Sequence, residues 1–265
     1  MQPFTINESK ITASAKPITL ERINLDNYRK FRNKFNQWIL SSIQPVLGLP
    51  KDFYVVSGLT DAFNQTYGLY QKIGIFNGEY GYHQFAVKSR VTTDLSQADV
   101  IIVSHPFSAD GMSAHDKLTI ADSYNVPIFV DCAFFGACKN ISFDFTSYKN
   151  IQSVCFSLSK TFGTGRHRVG LLYTNAVYPV TVYDAWQYPL VASAEHHYKL
   201  LDTLGPDDLV EKYGSAQNEI CAELGVMPSN TVMFGLDYTD RYKRFKRGNV
   251  NRLCISDLIS ERHSG

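Results

Sequence analysis

The chain of 265 residues lacks the features of disulfide-rich, zinc-binding and membrane-spanning proteins. Its five cysteines are an odd number at scattered positions with no CxxC pair, which argues against a disulfide framework and against a zinc site. No apolar run approaches the ~20 residues of a membrane-spanning helix. The N-terminal segment lacks the basic start and apolar centre of a signal peptide. We therefore expect a cytoplasmic protein with no metal ion and no membrane partner.

The chain also lacks an excess of charge of either sign. It has 26 lysines and arginines against 25 aspartates and glutamates, which gives a formal net charge of +1. Domains that bind nucleic acids are usually strongly basic, so this balance predicts no nucleic-acid partner. With 44% hydrophobic residues and no repeat or low-complexity linker, the composition is that of a globular protein with a sizeable core.

Short apolar segments alternate with helical segments through the middle of the chain. Runs that are apolar on both faces are typical of strands covered by helices on both sides. Their alternation with helices predicts an α/β fold with a mostly parallel sheet sandwiched by helices. The predicted strands are 52–57, 72–76, 98–104, 127–131, 152–157 and 169–173, and the predicted helices are 60–71 and 113–124.

The two ends of the chain differ in pattern from its middle. Apolar and aromatic residues at helical spacing predict an N-terminal helix from Asn24 to about Leu47. Towards the other end, an amphipathic helix at 207–224 and strands at 231–238 and 252–256 predict a small α+β C-terminal domain. The predicted organisation is an N-terminal arm and helix, a large ligand-binding domain and a small C-terminal domain, at 1–48, 49–178 and 179–265.

Lys160 follows a predicted strand, and its neighbours suit an anionic ligand. In α/β sheets, ligands bind at the carboxyl ends of the strands. Gly163 and Gly165 allow the backbone to approach a ligand closely, and Arg166 and Arg168 carry planar donors that suit phosphate. Neither the GxxxxGK[ST] nor the GxGxxG phosphate motif is present. A solvated lysine is one interpretation, and an amine that forms a Schiff base with a phosphorylated aldehyde is the other.

Asp131 ends another predicted strand, 127–131. An aspartate at this place could cap the adjoining loop, or it could pair with a pyridinium nitrogen. The second role would keep the nitrogen protonated, which is the electronic requirement of pyridoxal 5'-phosphate (PLP) as an electron sink.

The segment SLSKTFGTGRHRVG resembles the Schiff-base signature of PLP-dependent fold-type I, class I/II aminotransferases, S-x-[SA]-K-x-x-G-x-x-G-x-R-x-G. The second glycine of that signature is displaced here to Gly165. By this resemblance, Lys160 would hold PLP as a Schiff base, and Arg168, aided by Ser157, would bind its phosphate. The matching positions are Ser157, Ser159, Lys160, Gly163, Arg168 and Gly170.

Two segments that precede this signature also resemble the family. VVSGLTDAF resembles its first phosphate loop, in which backbone N–H groups at a helix N-terminus bind the phosphate. Those groups would be at Gly58, Leu59 and Thr60. GEYGYH resembles P-T-[WY]-G-N-H, which would place Tyr80 on the pyridine ring and His83 behind the cofactor aspartate.

Three more segments follow the family in order, with two departures. SHPFSADG resembles S-N-P-x-N-P-T-G, and DCAFFG resembles D-x-A-Y-x-G, which would put Asp131 on the pyridine nitrogen. NRLCIS resembles the strand with R-[IL]-x-[IV], so Arg252 would clamp the substrate α-carboxylate. However, Phe134 and Ser108 stand where the family has a tyrosine and an asparagine that contact the 3'-oxygen of PLP. Losing both contacts should change the pKa of the Schiff base.

The resemblance implies a PLP-dependent aminotransferase that moves an amino group between an amino acid and a 2-oxo acid. It would act as a homodimer in amino acid metabolism, and it is unusually short for that family, with a reduced arm and small domain. Elimination, decarboxylation or racemisation at the same site stays open, as does a non-catalytic descendant that binds PLP. The sequence shows no clear second arginine for an acidic substrate side chain.

Overall fold

The computed structural model of the protein describes residues 25–164, 168–180 and 197–263. The helices that lie wholly in these ranges are α1 (Leu25–Leu40), α2 (Leu59–Leu69), α3 (Tyr82–Val87), α4 (His115–Asp122), α5 (Asp208–Leu224) and α6 (Ser256–His263). The strands that form the main sheet are β2 (Asp52–Val56), β3 (Ile73–Ile75), β4 (Val91–Thr92), β5 (Val100–Ser104), β6 (Ile128–Cys132), β8 (Ile151–Ser157) and β9 (Gly170–Thr174). The remaining strands are β1 (Val46–Leu47), β7 (Phe143–Asp144), β10 (Met227–Pro228), β11 (Phe234–Asp237), β12 (Lys246–Arg247) and β13 (Val250–Cys254).

The main sheet has seven strands in the order β2-β9-β8-β6-β5-β3-β4. Strands β8, β6, β5, β3 and β4 run parallel, and β9 is antiparallel to both of its neighbours. Parallel strands need long crossover connections, which place helices on the faces of the sheet. The predicted α/β fold with a mostly parallel sheet is therefore confirmed.

Both faces of this sheet are covered, which explains the continuous apolar runs. Every residue of β5, β6 and β9 is buried. On one face the core includes α1, through Phe31, Phe35 and Trp38, and also α4. On the other face, α2 contributes Leu59, Phe63 and other buried residues to a second cluster.

A second, antiparallel sheet of order β10-β11-β13-β12 lies in the C-terminal part, with α5 and α6. Its buried Phe234 and Leu253 belong to the same hydrophobic cluster as residues of the main sheet. Gln217 of α5 fixes the entry to this sheet, because its buried amide donates to the carbonyl groups of Ser229, Thr231 and Phe234. The boundaries of a large and a small domain stay predictions.

The N-terminal helix is shorter than predicted. It ends at Leu40, and Ile43, which the helical spacing included, is 80% exposed. The Asp207 carboxylate accepts hydrogen bonds of 2.9 Å from Ser42 Oγ and from Ile43 N, which hold the chain in a turn. Strand β1 then pairs in parallel with β7. These partners are distant in sequence, so spacing alone could not predict where the helix ends.

The C-terminal strands also shift from their predicted bounds. The segment 231–238 begins with a turn, in which Phe234 N donates to the Thr231 carbonyl at 3.0 Å, so β11 starts only at Phe234. Strand β13 starts two residues earlier than predicted, and Ser256 already belongs to α6. Among the helices in the described ranges, none combines the length and the apolar character that crossing a membrane requires.

Candidate active site

Lys160 and Asp131 come together because they follow neighbouring parallel strands. Asp131 lies in β6 and pairs in register with Cys155 of β8. Strand β8 ends at Ser157, and the turn that follows carries Lys160. Asp131 is only 4% exposed, and Lys160 is partly buried. The carboxyl ends of these strands thus place an amine and a carboxyl group at the same edge of the sheet.

Burial favours the neutral form of both the Lys160 amine and the Asp131 carboxyl group. Burial, followed by the positive charge of Arg252, lowers the pKa of Lys160 to about 8. Burial, followed by the negative charge of Glu79, raises the pKa of Asp131 to about 8. The charges of Lys160 and Asp131 favour each other, but burial outweighs this attraction. A fraction of the Lys160 amine is therefore unprotonated and nucleophilic near neutral pH.

Gly58, Thr60 and Arg168 form a cradle of hydrogen-bond donors at the N-terminus of α2. Gly58 has φ 76° and ψ 174°, a conformation that is essentially restricted to glycine. A Cβ there would lie 3.1 Å from Arg168 Nε. Arg168 Nη2 donates a hydrogen bond of 2.7 Å to Thr60 Oγ1. The Leu59 side chain is buried, and the helix has no side-chain cap, so its first N–H groups can bind an anion.

Ser157 and Ser159 lie at the strand end beside this cradle. Ser157 pairs in register with Gly170 of β9, two residues after Arg168, and its Oγ accepts a hydrogen bond of 3.2 Å from Ser159 N. Ser159 Oγ and Arg168 Nε are buried, and neither has a hydrogen-bond partner in the described residues. Buried polar atoms are rarely left unpaired in folded proteins. Both atoms therefore indicate a bound group that accepts hydrogen bonds.

Tyr80 and His83 lie in an aromatic cluster near Asp131. Tyr80 is 41% exposed, and its ring centroid is 6.0 Å from that of His83. Burial, and then the negative charge of Asp131, raise the pKa of Tyr80. His83 is fully buried and forms a hydrogen bond of 2.7 Å between its Nδ1 and the Tyr67 hydroxyl. Burial lowers the pKa of His83 to about 3, so this imidazole is neutral.

Arg252 reaches the site from the antiparallel sheet. It is 7% exposed, its Nη1 donates to the Ser108 carbonyl, and its Cζ lies 4.2 Å from the Phe234 ring centroid. Phe134 packs edge-to-face on Phe234 at 5.0 Å between ring centroids. Lys160 Nζ lies 5.9 Å from the Phe134 centroid. Two aromatic rings therefore connect the arginine to the lysine.

The residues that sequence reasoning selected thus gather at one edge of the main sheet, but Ser108 contributes in an unexpected way. Its backbone carbonyl accepts from Arg252, and its backbone N–H donates to Ser104 Oγ at 2.7 Å. Phe134 offers a ring and no hydroxyl at the place of the family's tyrosine. Gly165 and Arg166 lie outside the described residues. The role of each of these residues stays a prediction.

Glu79 is a buried carboxylate that sequence reasoning missed. Its Oε2 accepts a hydrogen bond of 2.9 Å from Ser104 N. Its Oε1 accepts from Ser104 Oγ and, at 2.8 Å, from Tyr80 N. Glu79 therefore ties the loop of Tyr80 to the end of β5, where Ser104 holds Ser108. The only sign of a role for Glu79 in the sequence is its position directly before Tyr80. Its burial depends on the folded chain and could not be predicted.

Comparison with known families agrees with this geometry. A family model described as aminotransferase class I and II matches residues 85–214 of the chain. No curated protein sequence matches the chain. The resemblance that the sequence motifs predict is therefore confirmed by an independent family match.

Solved structures resemble the protein over nearly its whole length. A histidinol-phosphate aminotransferase from Clostridium acetobutylicum is 16% identical, with a TM-score of 0.64, and the match covers 99% of this chain and 95% of that one. A histidinol-phosphate aminotransferase from Sinorhizobium meliloti in complex with pyridoxal-5'-phosphate is 12% identical, with a TM-score of 0.66 and coverages of 98% and 87%. An L-threonine-O-3-phosphate decarboxylase from Porphyromonas gingivalis is 14% identical, with a TM-score of 0.58 and coverages of 94% and 100%. At these identities the similarity establishes the fold.

The residues at the sheet edge fit PLP. The cradle would take the phosphate, through donors that include Arg168 Nε and Ser159 Oγ, which lack a hydrogen-bond partner among the described residues. Lys160 would meet the aldehyde, and Asp131 would meet the ring nitrogen. A protonated ring nitrogen beside Asp131 would stabilise the charged form of its carboxyl group, which burial disfavours by raising its pKa to about 8. Tyr80, with its partly exposed ring, would cover the face of the pyridine.

Gly58→Ala should weaken the binding of PLP at the phosphate end of the site. The added Cβ would strain the backbone and push against Arg168. We expect the affinity for PLP to fall about tenfold or more, because a charge-assisted hydrogen bond is lost. The affinity for pyridoxal, which lacks the phosphate, should change little. Equilibrium titrations followed by visible absorption measure both affinities.

Gly68→Ala is the matched control, because a Cβ added there in the same helix meets no heavy atom within 4 Å. This variant should bind PLP as the wild type does. If Gly58→Ala weakened PLP and pyridoxal equally, the cradle would not be the phosphate site.

Glu79→Gln should destabilise the protein. Glutamine replaces one carboxylate oxygen by an NH₂ group, which cannot accept a hydrogen bond. Depending on which oxygen is replaced, Ser104 N–H, or the Ser104 hydroxyl together with Tyr80 N–H, loses its acceptor. Such a loss costs ~1–3 kcal/mol, which urea denaturation measures. Glu211→Gln, at an exposed position of α5, is the control and should leave the stability unchanged. Equal stability of both variants would show that Glu79 does not hold these loops.

Proposed function

We propose that this chain, whose residues 85–214 match the class I and II aminotransferases, is a PLP-dependent aminotransferase that moves an amino group between an amino acid and a 2-oxo acid. The observation that carries the proposal is the position of the Lys160 amine. It lies beside buried Asp131, and both Arg168 of the cradle and Arg252 are close enough to lower its pKa. When bound, PLP supplies an electron sink for the negative charge that develops at the substrate Cα.

Lys160 has two tasks in this proposal. With PLP bound, its Nζ would hold the cofactor through the aldehyde group, and the amino group of the substrate would release it. The released amine would then act as the general acid and base that moves a proton at the substrate Cα. A general base works best when its pKa lies near the working pH, and the lowered pKa of Lys160, about 8, satisfies this condition.

The other residues orient and bind. Asp131 would hold the protonated ring nitrogen of PLP, and Tyr80 would cover the ring. Arg252 would bind the α-carboxylate of the substrate and so orient its Cα–H bond. The apolar rings of Phe134 and Phe234 exclude water from the space between Arg252 and Lys160.

The proposal includes a homodimer, as in the family that the sequence resembles. It also leaves room for a second reaction at the same site. Phe134 removes a hydroxyl that would contact the cofactor in that family, and the structure resembles that of an L-threonine-O-3-phosphate decarboxylase. Decarboxylation of an amino acid is therefore the second candidate.

Purified protein mixed with PLP should show a visible absorption band that requires Lys160. The band should be absent in Lys160→Ala and present in Lys30→Ala, the control at an exposed position of α1. Addition of an amino-acid donor should convert the band to that of the aminated cofactor, and a 2-oxo acid should restore it.

The products of the same experiment separate the candidates. Release of CO₂ while the band persists would show that the reaction is decarboxylation and not transamination. A Lys160-dependent band that no amino acid changes would indicate a protein that binds PLP without turnover. A band that does not depend on Lys160 would contradict the proposed site.

A further inference from the structure

Arg247 shares a face of the antiparallel sheet with Arg252. Strand β12 is antiparallel to β13, and Arg247 pairs in register with Val250. Side chains alternate along a strand, so Val250 and Arg252 lie on one face, and Arg247 lies on that face too. Arg247 and Arg252 are therefore diagonal neighbours across the strand pair, within reach of one another for long side chains. Burial, and then the charge of Arg247, lower the pKa of Arg252 to about 9.

Two glycines seat this strand pair against the loop that carries Tyr80. A Cβ on Gly78 would lie 3.2 Å from Gly248 Cα, and a Cβ on Gly248 would lie 3.3 Å from Gly78 Cα, so two glycines let the loop and the turn pack closely. Gly78 comes two residues before Tyr80, and Gly248 directly follows Arg247. The positive charges of Arg168 and Arg247 both act on the Tyr80 hydroxyl. Arg247 therefore borders the same site as the proposed ring-covering tyrosine.

Within the part of the chain that the structure describes, Arg247 has no acidic partner. It is half-buried, and no carboxylate in the ranges 25–164, 168–180 and 197–263 forms an ion pair with it. Burial lowers the pKa of Arg247, and the raised pKa of Tyr80, which acts in the other direction, keeps that phenol neutral at physiological pH. A guanidinium that loses water without gaining a counter-charge is costly for a folded protein. An anionic ligand would remove that cost.

We propose that Arg247 binds a second anionic group of the substrate, so that the substrates are amino acids and 2-oxo acids with a side-chain carboxylate or phosphate. The inference rests on the proposed function, in which Arg252 binds the α-carboxylate. Two adjacent arginines then hold the two ends of a dianion. Arg247 belongs to the basic stretch RYKRFKRGNVNR, whose charges look like a solvated face in the sequence. The strand register divides these charges between two faces.

Lys246 provides a matched control on the opposite face. It pairs in register with Asn251, which pairs in turn with Asp237 on β11. These three residues share the face that turns away from Arg252. Neutralising Lys246 and neutralising Arg247 change the net charge by the same amount. The Lys246 change, however, lies on the face of the sheet that does not border the site.

The test is equilibrium binding of unreactive acids to the PLP-loaded protein, measured by calorimetry. The probes are succinate and glutarate as dicarboxylates, 3-phosphonopropionate as a carrier of a phosphate-like group, and butyrate as a monocarboxylate. The wild type should bind at least one dianion about tenfold or more tightly than butyrate, because a hydrogen bond between charged groups is added. The tightest dianion identifies the distal group as carboxylate or phosphate-like.

Arg247→Gln should abolish this preference and leave the affinity for butyrate unchanged, whereas Lys246→Gln should keep the preference. A wild type without the preference, or an Arg247→Gln variant that retains it, would overturn the inference.

Visible absorption of the same samples tests the proposed function separately. A Lys160-dependent band without the preference refutes only the role of Arg247. If the band is absent, the proposed function fails, and the comparison of dianions with butyrate, made on the protein without PLP, still decides whether Arg247 binds a second anion.

Discussion

Asp131 and Lys160 are held at the carboxyl ends of two adjacent parallel strands, where burial makes both of their charges costly. Burial raises the pKa of Asp131 to about 8 and lowers that of Lys160 to about 8. The strands cannot separate these groups, because their register is fixed by a sheet that is buried on both faces. A ligand that carries a cationic ring nitrogen and a carbonyl group would relieve both costs. This is the physical reason why the site suits PLP.

The elements around Asp131 and Lys160 supply hydrogen-bond donors and positive charges that suit anionic groups of a ligand. The uncapped N-terminus of α2, with Arg168, provides donors at one end of the site. The face of the antiparallel sheet that carries Arg247 and Arg252 provides cations at another. Glu79 connects these parts indirectly, because it fixes the Tyr80 loop to the end of β5. The site is thus assembled from three parts of the fold: the N-terminus of α2, the antiparallel sheet and the Tyr80 loop.

The sequence predicted what depends on local pattern and on ordered motifs. The apolar runs predicted six of the seven strands of the main sheet, all except the two-residue β4, and the motif order predicted that Lys160, Asp131 and Arg252 would meet. It failed where distant contacts decide. Asp207 ends α1 early, and the burial of Glu79 depends on strand β5. Arg247 was indistinguishable from its basic neighbours, because only the pairing of β12 with β13 shows which face it occupies.

The most direct test of the account is to locate the covalent bond between protein and cofactor. The PLP-loaded protein would be reduced with borohydride, digested and mapped by peptide mass spectrometry. We expect a single pyridoxyl group, on the peptide that contains Lys160. A pyridoxyl group on another lysine, or labelling spread over many lysines, would contradict the assignment of this buried amine as the reactive group of the site.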